Sequence, residues 1–390
     1  MIPARRVGGA ALTVALALIG VGAPAHAGPR VSNARAPLGA GATCAWPVRA
    51  DRDTLNVAYP DTDATYWVQR YSLAPDEWVR YRWTMPHARY SSFVVYDAAG
   101  NAIDHRADVT RGLGGRTRST HIVIGAIEPG DDTIVTAPIG ANGRSEGTVI
   151  YRVYVPDRAG NAQGGVPLPT ATVVDAAGRR TALRTCARPG VSPDIRATIA
   201  RMDAITDTPV PPAPVFIRPR NDGGNLYPNP DNTYVATIVD HRPGRVVVIR
   251  GRAPTFPDTR AGERVAPRDQ VRYWSFCTNE YAKPYRTSAC RNDARVATKD
   301  GDYTIVVSTR ADRPTGLRRE AGATWLPWGS TAVPSLILLR QMLPAPEFMQ
   351  AAARLAPGQP AAAVMGEYAP RAVYCRRTTF ERGGATACGF

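Results

Sequence analysis

The stretch Arg272-Tyr273-Trp274-Ser275-Phe276-Cys277-Thr278-Asn279-Glu280 repeats the pattern of an earlier one, Arg89-Tyr90-Ser91-Ser92-Phe93-Val94-Val95-Tyr96-Asp97. An Arg-Tyr pair, a Ser-Phe pair and a closing acid fall at the same positions in both. Further segments match in the same order. Asp63-Ala64-Thr65-Tyr66 answers Asp231-Asn232-Thr233-Tyr234, and Pro75 and Pro86 answer Pro243 and Pro254 at the same offset. Thr133-Ile134-Val135 answers Thr304-Ile305-Val306. Ile150-Tyr151-Arg152 with Pro156 answers Leu338-Leu339-Arg340 with Pro344. The chain therefore reads as two copies of one unit.

That unit is β-forming. Between the matched prolines, Val79, Tyr81 and Trp83 alternate with Arg80 and Arg82. In the second copy Val247 and Ile249 turn inward while Arg250 points away. A period of two means one buried and one wet face, the habit of antiparallel sheets. Gly and Pro, at 35 residues each, suit many short strands joined by turns. The expected class is all-β: two related antiparallel β-sandwich (jelly-roll-like) domains from an internal duplication, with a short helical C-terminal tail.

The expected order is a signal peptide (1–27), a flexible arm (28–43) and a first sandwich (44–190). A helix and Pro-rich linker (191–220), a second sandwich (221–345) and a helical, disulfide-pinned tail (346–390) follow. Ser192-Pro193-Asp194 would cap and open a helix running to about Met202, and Thr208 to Pro214 an extended linker. The tail helices are expected from Pro346 to Leu355 and around Ala361–Met365.

Arg5 and Arg6, the apolar run Ala10 to Ile19 and Ala25-His26-Ala27 have the order of a secretory signal. The run is shorter than the roughly 20 residues that span a bilayer. The expected location is secreted or extracellular, without a membrane span. Six cysteines fit an oxidising compartment. They allow about 15 connectivities. Spacing favours Cys277–Cys290, Cys375–Cys388 and hence Cys44–Cys186. No CxxC occurs, so zinc is a poor reading.

The formal net charge is +15, and only Lys283 and Lys299 are lysines. Arginine pairs such as Arg179-Arg180, Arg318-Arg319 and Arg376-Arg377 are scattered among acids. No basic helix or recognisable module appears, which argues against nucleic acid. For an exported protein the fitting anionic partner is a cell-envelope polymer.

With these motifs in hand, the chain resembles exported bacterial paired jelly-roll proteins catalogued as domains of unknown function (the 1254 and 1214 pair). Asn229-Pro230-Asp231-Asn232-Thr233-Tyr234, Tyr273-Trp274-Ser275-Phe276 with Asn279-Glu280, Thr324-Trp325-Leu326-Pro327-Trp328 and Leu338-Leu339-Arg340 carry the resemblance. It covers most of 225–344 and, more faintly, 56–156. The acid after the aromatic motif is Asp97 in one copy and Glu280 in the other, and Cys277 intrudes. What the resemblance implies is a fold; no activity comes with it.

Several constellations bear on chemistry. Gly143-Arg144-Ser145-Glu146-Gly147 has the GxSxG spelling of a nucleophile elbow, but a strand follows it where the elbow needs a helix. It reads as a glycine hairpin. His87, His105, His121 and His241 lack the close His pair of metal-binding cupins. Asp51, Asp53, Asp61 and Asp63, with Asp222 and Asp231, lie in turn-rich loops that could hold calcium, and turn formation explains them as well. No metal or cofactor is expected.

The best candidate site is the polar and aromatic set around the second motif. Tyr273, Trp274, Asn279, Glu280, Trp325, Trp328 and Arg340 are the expected ligand-binding residues. Flat aromatic faces with a few directed polar groups suit a small-molecule or glycan pocket. The alternative is sandwich core plus an Arg340–Glu280 ion pair.

The leading functional reading is a ligand-binding or cell-envelope-associated protein with its pocket in the second sandwich. The alternative is an extracellular hydrolase or lyase with Glu280 as acid/base and Arg340 or Arg272 stabilising charge. A third is a structural secreted protein without a ligand.

Overall fold

The computed structural model describes residues 36–39, 41–108, 119–125, 133–157, 161–190, 199–200, 209–220, 226–264 and 269–390. The expected signal peptide and Asp222 lie outside these residues. So does the helix expected from Ser192 to Met202, except for Ile199 and Ala200, which are helical.

The first half supplies β1 (Cys44–Ala45), β2 (Val48–Ala50), β3 (Ala64–Leu73), β4 (Trp78–Thr84), β5 (Ala88–Asp97), β6 (Ala102–Ala107), β7 (Ser119–Gly125), β8 (Thr133–Val135), β9 (Ser145–Pro156), β10 (Thr170–Val174) and β11 (Arg180–Thr185). The second supplies β12 (Asn232–Val239), β13 (Arg245–Arg252), β14 (Val271–Glu280), β15 (Thr287–Asn292), β16 (Thr298–Lys299), β17 (Asp302–Ser308), β18 (Ala323–Pro327), β19 (Ser335–Pro344) and β20 (Arg371–Arg376). One α-helix, α1 (Arg377–Ala387), follows and kinks at Gly383-Gly384.

Sheet order shows the duplication directly. In the first half β3-β9-β5-β6 form one sheet, extended by β2, and β10-β4-β7-β8 lie in the other, extended by β11 and β1. In the second half β12-β19-β14-β15 form one sheet, and β20-β13-β17 with β18 lie in the other, extended by β16. The eight shared strands follow in the same chain order. Even the parallel pair recurs, β7 with β8 and β17 with β18. Arg89–Asp97 lies in β5 and Arg272–Glu280 in β14, which are equivalent strands.

Alternation decides what each face does. In the first sandwich Trp67, Phe93, Val149, Tyr151 and Val153 from one sheet meet Val79, Tyr81, Trp83, Ile124 and Leu183 from the other. In the second, Val235, Trp274, Phe276, Ile337 and Leu339 meet Val247, Ile249, Tyr303, Ile305 and Leu326. The disulfides are Cys44–Cys186, Cys277–Cys290 and Cys375–Cys388, the set that spacing favours. The first joins residues 142 apart in sequence and ties the two ends of the first sandwich. Closing so long a loop stabilises by about 5 kcal/mol on the chain-entropy view.

Four expectations need correction. Thr133-Ile134-Val135 is β8, whose counterpart is β18, whereas Thr304-Ile305-Val306 is in β17, the counterpart of β7. Three β-branched-type residues are too short a match to distinguish neighbouring inward-facing strands. The stretch from Pro346 to Leu355 is not α-helical: only Ala352–Arg354 makes a 3-10 turn, and Ala361–Ala363 makes another. Phe348, Ala351, Ala352 and Leu355 are instead drawn into the second core, and the Ala352 N–H donates to the Gln341 side chain rather than along a helix. The tail also continues into β20, so the second sandwich reaches beyond residue 345. Finally, Leu38 of the expected arm is fully buried in the first core and its N–H donates to the Arg70 carbonyl.

Candidate functional site

The outer faces of β3-β9-β5-β6 and β12-β19-β14-β15 pack against each other, and the second aromatic motif lies at that junction. Strand alternation sends Trp274 and Phe276 into the sandwich core and Tyr273, Ser275 and Cys277 toward the other half. Tyr273 joins Tyr90, Tyr154, Val155 and Met342 in an apolar cluster shared by both halves. Its ring centroid lies 5.5 Å from that of Tyr154.

The polar groups here are paired reciprocally. Arg89 of β5 donates to both oxygens of Asp293, just after β15, at 2.8 Å. Arg272 of β14 pairs with Asp108, just after β6, at 3.3 Å. Each acid also accepts a backbone N–H from its own half, Asp293 from Trp274 at 3.1 Å and Asp108 from Ser91 at 3.0 Å. The Arg272 Nε–H donates to the Arg89 carbonyl, tying the two pairs together. Tyr90 accepts from Asn229 at 3.1 Å and donates to Asp231 at 2.6 Å, and Tyr273 donates at 2.8 Å to Asp61, the counterpart of Asn229. Arg152 donates to the Tyr227 carbonyl and Arg340 to that of Tyr59. Equivalent residues thus exchange partners across a pseudo-two-fold axis, the geometry of an isologous dimer interface within one chain.

Burial sets the electrostatics. The Asp293 carboxyl is pushed up to about 6 by desolvation, against the opposing pull of Arg89. Burial also raises Asp108 and lowers Arg272. Buried charges persist because each has a partner and further hydrogen bonds.

This arrangement separates the expected site. Arg340 is 2% exposed and lies 3.7 Å from Asp61, not against Glu280. Asn279 is also buried and bonds with the Leu336 carbonyl and Thr287. Tyr273 and Arg272 face the other half, and Trp274 is core. Trp325 is half-buried under Arg313 and donates to Ser308. Glu280, half-buried, ends β14 opposite Ser335. The expected pocket of Tyr273, Trp274, Asn279, Glu280, Trp325, Trp328 and Arg340 is therefore not one cavity. Tyr273 and Arg340 face outward from the β14 sheet and are covered by the first half, Trp274 faces the core, and Trp325 lies on β18 of the other sheet.

What the second sandwich does offer is a cleft of about 380 Å³ between Asp240-His241-Arg242 and Thr331-Ala332-Val333-Pro334. These loops follow β12 and precede β19, at the end of the sheet where Glu280 also lies. Trp328 is buried in the core and packs against His241, its ring 5.7 Å from that of the histidine. His241 lies 3.4 Å from Asp312, and Arg242 stacks 3.7 Å over Tyr374. Of the sequence-derived set, only Trp328 and Glu280 come near it. The loop residues carry no strand periodicity that would have marked them.

The other candidates resolve locally. Ser145 begins β9 and donates to the Ala137 carbonyl, behind a turn in which the Gly143 N–H donates to Gly140. Asp51 accepts from the N–H groups of Asp53 and Thr54, and Asp61 from that of Asp63, as turn-forming acids do. Asp61, Cys277 and Cys290 lie close together, but the two sulfurs are bonded to each other and are not thiolate ligands.

No family model and no curated protein matches the chain. Among solved structures it is similar to an uncharacterized protein from Burkholderia cenocepacia, at 15% identity and a TM-score of 0.51. That match covers 86% of this chain and 82% of the other. It is also similar to the VPA0106 protein of Vibrio parahaemolyticus, at 12% identity and a TM-score of 0.44, over 80% and 90% of the two chains. The Burkholderia likeness supports the fold alone. No helix among the described residues is long and apolar enough to cross a membrane.

His105 makes the junction sensitive to pH. Its Nε2 lies 3.0 Å from Asp231 of the other half, and that hydrogen bond raises its pKa against partial burial. A raised folded pKa means that the pair's stabilisation is complete below the ordinary value of about 6.5 and is lost as pH rises through the folded value. The melting temperature is expected to fall more between about pH 6 and pH 8 for the native chain than for His105→Gln. Parallel pH profiles would remove His105 from the account.

Proposed function

We propose that this is an exported protein that binds a small polar molecule or glycan without transforming it, through the cleft of the second sandwich. The observation that carries the reading is the cleft itself: Asp240 and Arg242 bring opposite charges to one opening, beside His241. Convergent polar groups of opposite charge hold and orient a ligand. The acid/base reading loses its support, since Arg340 and Arg272 spend their charges on Asp61 and Asp108 rather than beside Glu280. Three disulfides suit export to an oxidising compartment. The paired jelly-roll family of the resemblance is a fitting home for such a chain.

The test is a thermal-shift screen of mono- and oligosaccharides and small carboxylates. A hit at a concentration about 100-fold above Kd stabilises by about 2.7 kcal/mol, a rise of about 2–4 °C. Arg242→Ala is expected to abolish the shift, and mass spectrometry to recover the ligand unchanged. A shift that survives Arg242→Ala, or a ligand that is cleaved, contradicts the proposal.

A further inference from the structure

The two copies treat one equivalent face in opposite ways. In the second sandwich the outward face of β13, β17 and β20 is apolar. Val246, Val248 and Val306 lie under Phe380 of α1, which the Cys375–Cys388 bridge straps in place. The first sandwich has no such helix among the described residues. Arg80 stands where Val248 does, and Arg82 where Arg250 does.

Neighbouring strands extend the change. Val79, Tyr81, Trp83 and Leu183 take the inward positions, so Arg80, Arg82, Arg180 and Arg184 all point outward, and all four are exposed. Register sets Arg80 beside Thr172, Arg82 beside Thr170, and Arg180 beside Val174, which lies beside Trp78. β4 and β11 flank β10, so Arg82 and Arg184 lie about 10 Å apart across the sheet, Arg80 and Arg82 about 7 Å apart along β4, and Arg180 and Arg184 about 14 Å apart along β11. The six strands of this sheet, CA, WVRYRWT, STHIVIG, TIV, TATVV and RTALRT, contain no Asp or Glu. Among the described residues none of the four arginines has an ion-pair partner; the acid of the adjoining hairpin, Asp175, is taken by Arg179. Arginines that look scattered in sequence are gathered by the fold.

Like charges on neighbouring strands oppose the sheet unless an anion sits over them. Guanidinium groups grip carboxylate and sulfate oxygens in bidentate fashion. Thr170 and Thr172, between the two arginine columns, offer hydroxyls of the kind that bond sugar hydroxyls. On this face no exposed aromatic ring among the described residues provides a stacking platform for bases: Tyr81 and Trp83 are core, and half-buried Trp78 lies under Arg80.

We infer that this face is a docking surface for an acidic polysaccharide, with the guanidiniums of Arg80, Arg82, Arg180 and Arg184 holding its carboxylate or sulfate groups. The inference extends the reading of an exported binding protein, since it names a polymer and a second surface, but it does not use the cleft.

The experiment compares binding of polygalacturonate, heparin, neutral dextran and duplex DNA to the mature chain. One variant carries Arg80→Gln, Arg82→Gln, Arg180→Gln and Arg184→Gln. A charge-matched control carries Arg264→Gln, Arg310→Gln, Arg318→Gln and Arg376→Gln, all exposed in the second half. At low salt the first set is expected to lose about 100-fold in affinity for one or both acidic glycans, and the control no more than about 3-fold. Dextran should not bind. Equal losses in both variants, or no glycan binding by the native chain, overturn the inference. Tighter binding of DNA than of either glycan, lost with the same four arginines, overturns the choice of polymer. The small-molecule screen with Arg242→Ala is independent of all these outcomes, so failure here leaves the cleft reading to its own test.

Discussion

Arg89→Met is expected to lower the free energy of unfolding by about 3–5 kcal/mol, the cost of leaving a buried charge without its partner. Arg89 and Asp293 are both fully buried, and the Arg89 Nη1 donates to both carboxylate oxygens at 2.8 Å. Removing the guanidinium leaves Asp293 with only the N–H groups of Trp274 and Ala294 as donors among the described residues. Arg89→Met combined with Asp293→Leu is expected to recover part of the loss, because an apolar pair of similar volume often replaces a buried ion pair without penalty. Recovery stays incomplete, since those two N–H groups lose their acceptor. Urea unfolding of both variants measures the difference. A single variant within about 1 kcal/mol of the native chain would contradict this role for the pair.

Asp61→Ala is the second large effect, again about 3–5 kcal/mol. Asp61 accepts from Tyr273 at 2.8 Å and Ser275 at 2.7 Å, and it is the acid nearest Arg340, at 3.7 Å. Alanine removes both acceptor and counter-charge in a region closed to water. Asp61→Asn keeps an acceptor and loses only the charge, so its cost should be smaller. The second half already uses an amide in this way, since Asn229 bonds with the Tyr90 hydroxyl. If alanine and asparagine cost the same, hydrogen bonding to Tyr273 and Ser275 contributes nothing, and Arg340's charge is the whole effect.

The echo of Arg89–Asp97 in Arg272–Glu280 made the duplication and the equivalence of two strands legible before any coordinates. Period-two alternation correctly assigned Val79, Tyr81 and Trp83 to a core. The disulfide pairing followed from spacing alone. The partners of the motif's arginines did not follow. Alternation puts Arg272 on the face of Trp274, and register puts Arg340 on the face of Ser275, but neither says whether these groups meet water or another sheet. Asp108 and Asp293 offered a signal that could have been used, since each follows the strand after its copy of the motif. A repeated basic residue with a repeated acid downstream fits exchange across a two-fold arrangement. The cleft had no such signal. Asp240, His241, Arg242 and Thr331 are loop residues, and only folding brings them to one opening. The arginine face was hidden for a related reason, because β4 and β11 are distant in sequence and joined only through β10.

Differential scanning calorimetry of the native chain, beside an Arg89→Met/Arg272→Met double variant, tests most directly whether the repeated motif locks two sandwiches together. The native chain should unfold in one transition. The double variant, having lost both reciprocal pairs, should separate into two transitions, one for each sandwich. Two independent transitions in the native chain, or an unchanged profile in the variant, would show that the motif does something else.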